Sequence, residues 1–531
     1  MESPTIVPVS DTPLLEPPQS GQTVTPWLLV VLVVVLFSGG LFGYDQGVIS
    51  GALHGMTQEL SLSRIMVAVV TSWVTLGALF GALAGGELAD LIGRKRAVLI
   101  AGAMFTLGAL VQALAPDTVI LVAGRLIVGA GVGVAAVAAP LYAAELAPTN
   151  LRGRFVSGYQ LAITVGIFLA YLVDGWLSET DSWRIMLGVS AVPGLLLFAV
   201  ALFAPESPRW LMKMHRRPEA AAELRKIRPG VDVNARLDAI DAALREDAGG
   251  ASWGEVFQRE WRRPLMIGIG LAVFQQVTGI NAIIYYANQI FAAAGFVTQS
   301  AQTTATTWAI GAVNVLATLI AIAFIDGLGR RKLLLAGLLG MGISLVVVGA
   351  AFEFILRGPD QAASAAPSSA GIVTLLALVG FIICFAFSMG PVVWTVINEI
   401  FPGRIRGRAV AVATAANWGR PSWLARAFCR WWTRSGTDRP SGCSRCCAAW
   451  AGSGSTARCR RPRGGRWNKS SNSGSSRARN ADRDATRERP QPIVHRTLLC
   501  PCWARCRFMV SRVNAALLGA IINGLEQAAP N

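Results

Sequence analysis

Only three histidines occur in the 531 residues, and Cys384 is the sole cysteine before position 420. With no His/Cys/Asp constellation in the first 400 residues, the sequence argues against a metal or nucleophilic enzyme, and neither metal nor cofactor is expected. Charge is scarce too: 15% of residues are charged and 53% hydrophobic, where a soluble domain carries roughly 25% charged residues. Mean hydropathy is +0.48. Apolar runs of about 20 residues exclude an outer-membrane β-barrel, whose strands alternate in short segments, and indicate a polytopic α-helical membrane protein.

A formal charge of +17 suggests a nucleic-acid partner until its position is considered. Residues 420–531 hold 21 of the 48 Lys and Arg and 5 of the 31 Asp and Glu, which leaves a balance of +1 for residues 1–419. No specific nucleic-acid partner is expected for that balanced part. Eight of the nine cysteines also follow position 420, so two unlike compositions meet at one point.

Residues 1–25, rich in Pro, Ser and Thr, read as a disordered tail with no basic segment of a signal peptide. Membrane helices are expected at 27–53, 65–89, 97–115, 118–145, 156–177 and 184–204, then at 265–293, 303–325, 332–356 and 370–398. An eleventh begins near Arg408 and loses its apolar character after Trp418. One set of short loops carries Arg94-Lys95-Arg96, Arg152 with Arg154, Arg330-Arg331-Lys332, and Arg404 with Arg406 and Arg408; the opposite set is mainly acidic. By the positive-inside rule the basic set, the N-terminus and the polar segment 205–263 face the cytoplasm of a cell membrane. Within that segment, 219–227 and 235–245 have helical patterning.

An internal repeat divides the chain into two halves. Asp90-Leu-Ile-Gly93-Arg94-Lys95 recurs as Asp326-Gly-Leu-Gly329-Arg330-Arg331, and Glu145-x-x-Pro148-x-x-x-Arg152-Gly153-Arg154 recurs as Glu399-x-x-Pro402-x-x-x-Arg406-Gly407-Arg408. Paired helical repeats of this kind build transporters with a site at mid-membrane between the halves. The domains read as a tail (1–25), a first six-helix bundle (26–204), a cytoplasmic linker (205–263), a second bundle (264–419) and an aberrant tail (420–531).

Further signatures are Gly43-Tyr44-Asp45, Pro205-Glu206-Ser207-Pro208-Arg209-Trp210, Gln275-Gln276-x-x-Gly279-x-Asn281-x-x-x-Tyr285-Tyr286 and Gly390-Pro391-x-x-Trp394. With the loop repeats they make the chain, from about Trp27 to Trp418, resemble the sugar porter family of the major facilitator superfamily. The resemblance implies an all-α membrane fold of two six-helix pseudo-repeats, here with helix 11 incomplete and helix 12 absent. It also implies secondary transport of a monosaccharide by alternating access, in a monomer. Alternatives are a facilitative uniporter, or a nontransporting or sensor-like membrane protein.

Carboxamides suit a neutral polyol, because each offers an acceptor and two donor hydrogens without a charge to desolvate. Gln275, Gln276 and Asn281 lie within two turns, Tyr285 follows, and Trp394 after Gly390 can lie against a sugar ring. By resemblance Gln160, Asn314 and Asn417 join them. Single buried amides can instead merely link helices. Asp45 in the first helix is costly in lipid unless paired or functional; proton-coupled members of the family tend to have Asp there and facilitative members Asn. With Arg125 as its partner, Asp45 is the expected proton-coupling group. Asp90 with Arg94, Glu145 with Arg152, Glu206 with Arg209, and Asp326, Arg330, Glu399 and Arg406 resemble the family's cytoplasmic gating network.

After Asn417-Trp418 the family pattern fails. The basic residues of 420–531 are all Arg except Lys469, mixed with Cys, Trp, Gly, Ser and Pro, as an out-of-frame reading of GC-rich DNA gives. A frameshift near 418–425 is the expectation. The irregular Cys443, Cys446, Cys447 and Cys459 do not form the paired Cys-x-x-Cys units of a zinc site.

Overall fold

The computed structural model describes residues 25–148, 152–178, 182–246, 253–357, 369–401 and 403–418. Of the two tails read from the sequence, 1–25 and 420–531, all but Thr25 lies outside the described residues. Five long helices open the chain: α1 (Pro26–Glu59), α2 (Arg64–Ile92), α3 (Arg94–Ala113), α4 (Thr118–Leu146) and α5 (Arg152–Trp176). Local chemistry sets their starts. Pro26 follows the capping Thr25, and the Asp117 carboxylate accepts the amides of Val119 and Ile120 at 2.8 and 2.9 Å. The sixth passage is α6 (Trp183–Val189) and α7 (Ala191–Phe203), interrupted only at Ser190.

Between the halves lie α8 (Pro208–Lys213), α9 (Arg217–Ile227), α10 (Val233–Glu246) and the single turn α11 (Trp253–Val256). The first three share a small core of Trp210, Leu211, Met212, Ala220, Leu224 and Leu237. It is tied to the first half by Trp210, whose indole donates to the Asp90 carbonyl at 2.8 Å, and by Lys213 on the Asp90 carboxylate at 3.1 Å.

The second half differs from its sequence reading in continuity. The expected helix 265–293 is three pieces: α12 (Arg262–Val277), α13 (Ile280–Tyr285) and α14 (Ala287–Ala293). Gly279 is left-handed at φ +89°, a conformation open to glycine, and this ends α12. Next come α15 (Gln299–Ala305), a π-helical stretch over Thr306–Ala312, α16 (Val313–Leu328) and α17 (Arg330–Arg357). The expected helix 370–398 is likewise divided into α18 (Ser369–Phe387) and α19 (Pro391–Glu399), because Pro391 has no amide hydrogen to carry the ladder onward. Last is α20 (Gly403–Trp418). Among the described residues ten segments are long and apolar enough to cross a membrane, so the chain is an all-helical multi-span membrane protein.

Small residues let the helices close on one another. Gly39, Gly43, Gly47 and Gly51 recur every fourth residue on α1 and face Tyr159, Ile163, Ile167 with Ala170, and Asp174 of α5. Helices in lipid gain little from burying apolar surface, so close backbone packing takes over. At Gly43 a β-carbon would meet the backbone of Ile163. Gly43→Val is therefore expected to destabilise the protein by about 1–3 kcal/mol, as overpacking does. A lowered melting temperature of the purified protein would register this, and an unchanged one would show that α1 and α5 can separate freely.

Candidate functional site

Two interior features stand out, one at the helix breaks and one between the unbroken helices α1 and α4. The first is an amide cluster. Gln275, near the end of α12, donates from Nε2 to the Met389 carbonyl at 2.6 Å, in the turn between α18 and α19. Gln276 donates to Asn417 Oδ1 at 2.8 Å, and Asn281 on α13 donates to Gln276 Oε1 at 2.6 Å. Asn417 of α20 donates to Gln275 Oε1 at 2.8 Å and to the Ala272 carbonyl at 2.9 Å. The break at Gly279 redirects α13, which lets Asn281 reach back to Gln276.

The other expected members are distributed around this cluster. Gln160 of α5 approaches from the first half, its Nε2 3.4 Å from where a β-carbon on Gly390 would stand. Trp394, one turn beyond Gly390, is half-buried. Asn314 is buried on α16 and its Oδ1 has no hydrogen-bond partner, so it does not join the bonded cluster. Beside Asn417, the Trp418 ring meets Phe42 of α1 edge-on, with centroids 5.0 Å apart and planes at 74°. The cluster is thus self-satisfied, each amide bonded to another amide or to a carbonyl. A polyol entering it would exchange these bonds for its own hydroxyls with no charge to desolvate.

The second feature is an ion pair. Arg125 on α4 donates from Nη1 to Asp45 Oδ1 at 2.8 Å and from Nε to the Val70 carbonyl at 3.2 Å. Asp45 is 5% exposed and Arg125 0%. Tyr285 of α13 is buried and lies within electrostatic reach of both charges, which joins the pair to the cluster through one short helix.

The halves touch on both sides of these features. Away from the linker, Tyr171 donates to the Ile284 carbonyl at 3.0 Å, and Thr307 donates to the Tyr171 carbonyl at 3.1 Å. Thr71 and Tyr286 share a hydrogen bond of 3.1 Å, and the Asn288 amide donates to Ser50 Oγ at 3.2 Å. On the linker side the Trp253 indole donates to Glu87 at 2.6 Å while the Arg408 guanidinium lies 5.7 Å from the Trp253 ring centroid.

The linker-side charges form a connected set at the ends of α2, α3, α4 and α8. Arg94 meets Asp90 at 3.1 Å, and Glu145 receives Arg94 at 2.8 Å and the Ser207 hydroxyl; the pairing of Glu145 with Arg152 read from the sequence falls on a side chain outside the described part of the structure. Gly93 turns the chain so that the Arg94 side chain, 6% exposed, enters between α2 and α4. Glu206, expected beside Arg209, accepts the backbone amides of Arg94, Lys95 and Ser207 at 3.1, 3.2 and 2.9 Å. Arg330 meets Glu399 at 3.2 Å, and Arg406 donates from Nε to the Phe401 carbonyl at 2.9 Å. The side chains of Arg152 and Asp326 lie outside the described part of the structure.

Burial pushes the Glu206 carboxyl above the usual carboxylate range, against the lowering pull of those amides and of the Arg94 charge. The folded protein therefore holds this proton more tightly than the unfolded chain does. Between the ordinary value and the raised one, the contribution of Glu206 to stability falls as pH rises. Glu206→Gln is expected to flatten this part of the melting temperature against pH, and an unchanged slope would assign the dependence elsewhere.

The sequence reading missed Asp174, Tyr171 and Ser207. Ser207 sits in a quoted signature, and its Ser-Pro start to α8 was a readable capping signal. Asp174 interrupts an apolar run, which was the available sign.

Comparison with known proteins accords with this architecture. The family profile described as "Sugar (and other) transporter" matches residues 30–433. The chain is 39% identical over 383 residues to a D-xylose transporter of Levilactobacillus brevis, covering 72% of this chain and 81% of that one. It is 37% identical over 390 residues to the galactose-proton symporter of Escherichia coli K12, covering 73% and 82%. Among solved structures, the proton:xylose symporter XylE bound to 6-bromo-6-deoxy-D-glucose superposes with a TM-score of 0.65 at 30% identity, covering 77% of this chain and 90% of that one. The chain belongs to the sugar transporter family, with the major facilitator fold, and is a membrane carrier and not an enzyme.

Proposed function

We propose that the protein carries a monosaccharide together with a proton by alternating access, acting as a monomer in the cell membrane with its N-terminus and linker in the cytoplasm. The moving bodies are the bundles 26–204 and 264–419, joined by the linker 205–263, with 1–25 and 420–531 as tails. The observation that carries the reading is an uncharged amide cluster joined, through Tyr285, to a buried carboxylate–guanidinium pair. Gln275, Gln276, Asn281 and Asn417 exchange their bonds for sugar hydroxyls, and Gln160 and Asn314 offer further amide groups to them. Tyr285, Gly390 and Trp394 complete the wall.

Asp45 accepts the proton and thereby releases Arg125. Asp90, Arg94, Glu145, Arg152, Glu206, Arg209, Asp326, Arg330, Glu399 and Arg406 hold the linker-side ends in register. Such pairs are individually weak and act only as a network. The related D-xylose transporter, galactose-proton symporter and XylE support the substrate class and the coupling.

The test is uptake of labelled pentoses and hexoses by the full chain in proteoliposomes. Accumulation above equilibrium under an inward proton gradient is expected, and its collapse when the gradient is removed. Equilibration at one rate with or without the gradient would make the protein a uniporter, and no uptake would make it a nontransporting relative.

A further inference from the structure

Asp45 is not the only carboxylate inside the membrane helices. Asp174, near the end of α5, is 2% exposed. Its Oδ2 accepts the Gly51 amide at 3.0 Å, and its Oδ1 has no hydrogen-bond partner. Gly51 is the last of the four glycines on α1, and the carboxyl occupies the space a β-carbon there would take. A side chain at 51 would displace the carboxyl, and one at 47 would strike Ala170 and Ile167. The Asp174 side chain is therefore held against the α1 backbone and away from water.

The contrast with Asp45 lies in the counter-charge. Arg125 on α4 is engaged by Asp45, Arg184 on α6 by Glu59, and His54 on α1 by Gln58. Among the described residues no cation pairs with Asp174. The titratable groups facing it are Tyr44 on α1, whose hydroxyl donates to the Met186 carbonyl at 2.9 Å, and Tyr171 on its own helix. From the second half, the polar groups shown at this end of α5 and α1 are uncharged: Thr307 of the π-helical stretch, beside Gly175 and bonded to Tyr171, and Asn288 of α14, bonded to Ser50 next to Gly51. An unpaired carboxylate in such surroundings is far costlier than the neutral acid.

Its location ties it to movement. Tyr171, three residues earlier, both donates to Ile284 and accepts from Thr307, so the same turn of α5 forms the contact between the halves on the side away from the linker. Parting the halves there breaks both bonds and admits water to the end of α5.

We propose that Asp174 is a second proton-binding site, occupied while the halves are closed on the side away from the linker and emptied when they part. The step is carboxylate plus proton giving the carboxylic acid, with no other bond changed. The proton comes from the solution on that side, so closure there is favoured by acid independently of Asp45. The link to transport rests on the symport reading above; occupancy of the site does not.

Two measurements on the full chain separate these. Infrared absorption of the purified protein at neutral pH is expected to show a protonated-carboxyl C=O band that persists in Asp45→Asn and disappears in Asp174→Asn. Absence of the band from the wild type, or its survival in Asp174→Asn, overturns the proposal. If the Asp174 variant does not fold, absence of the band from the wild type or from Asp45→Asn still overturns the proposal, and the band is expected to persist in Glu206→Gln, which removes the linker-side carboxyl that burial raises.

In proteoliposomes, sugar exchange by Asp45→Asn, whose coupling group no longer titrates, is expected to fall severalfold as the bath is made alkaline, and the double variant Asp45→Asn with Asp174→Asn to lose most of that fall because an amide stays neutral. An alkaline fall identical in both proteins overturns the gating role. A wild type that exchanges no sugar defeats the symport reading instead, leaving the infrared result to decide the site.

Discussion

Asp45→Asn is expected to abolish uphill accumulation of sugar while leaving exchange of internal for external sugar intact. The amide keeps the shape and the acceptor oxygen that Arg125 contacts at 2.8 Å in the native pair, but it cannot take up or release a proton. A carrier so altered is fixed in the neutral form of its coupling group. If only the neutral form lets the loaded protein reorient, exchange continues and the proton gradient no longer drives net movement. Counterflow and gradient-driven uptake, measured on one preparation, separate the two. Accumulation unchanged from wild type would remove Asp45 from the coupling step.

Arg125→Leu is expected to have the largest effect on stability. Asp45 is left buried and without its partner, and breaking a buried ion pair from one side costs about 3–5 kcal/mol. Adding Asp45→Asn should recover much of the loss, because the second change removes the stranded charge. Thermal unfolding of the two single variants and the double variant gives the coupling directly. A double variant no more stable than Arg125→Leu alone would mean that the loss comes from the Val70 carbonyl contact or from packing.

Length and hydropathy make the ten membrane passages readable in the sequence, because a helix that crosses lipid must be long and apolar whatever its neighbours are. The amides could be picked out for a related reason: Gln275, Gln276 and Asn281 are exceptions in an apolar run, and exceptions in lipid need partners. Their actual partners could not be read. Asn417 bonds Gln275 and Gln276 across 142 and 141 positions of chain, a distance no local pattern encodes.

The helix breaks escaped because apolar periodicity continues across them. The left-handed Gly279 and the imino nitrogen of Pro391 mark two of the three interruptions, and the third, at Tyr286, carries neither signal. Asp174 escaped for another reason. An acidic residue close to a helix end is commonly at the water interface, and its burial follows from the glycine stripe on α1, which lets α5 approach closely. Glu145 shows the same limit among charges: its ion pair with Arg94 depends on how α2 packs on α4, which the loop repeat does not encode.

Calorimetric titration of the purified chain with a panel of pentoses and hexoses, beside Gln276→Ala and Asn417→Ala, bears most directly on the amide cluster. Losing a hydrogen bond to a buried polar ligand group costs about 1–3 kcal/mol, so at least one sugar is expected to bind the wild type and to bind each variant roughly tenfold or more weakly. Equal affinity in all three proteins, or no binding of any sugar to a folded wild type, would show that these amides only join helices.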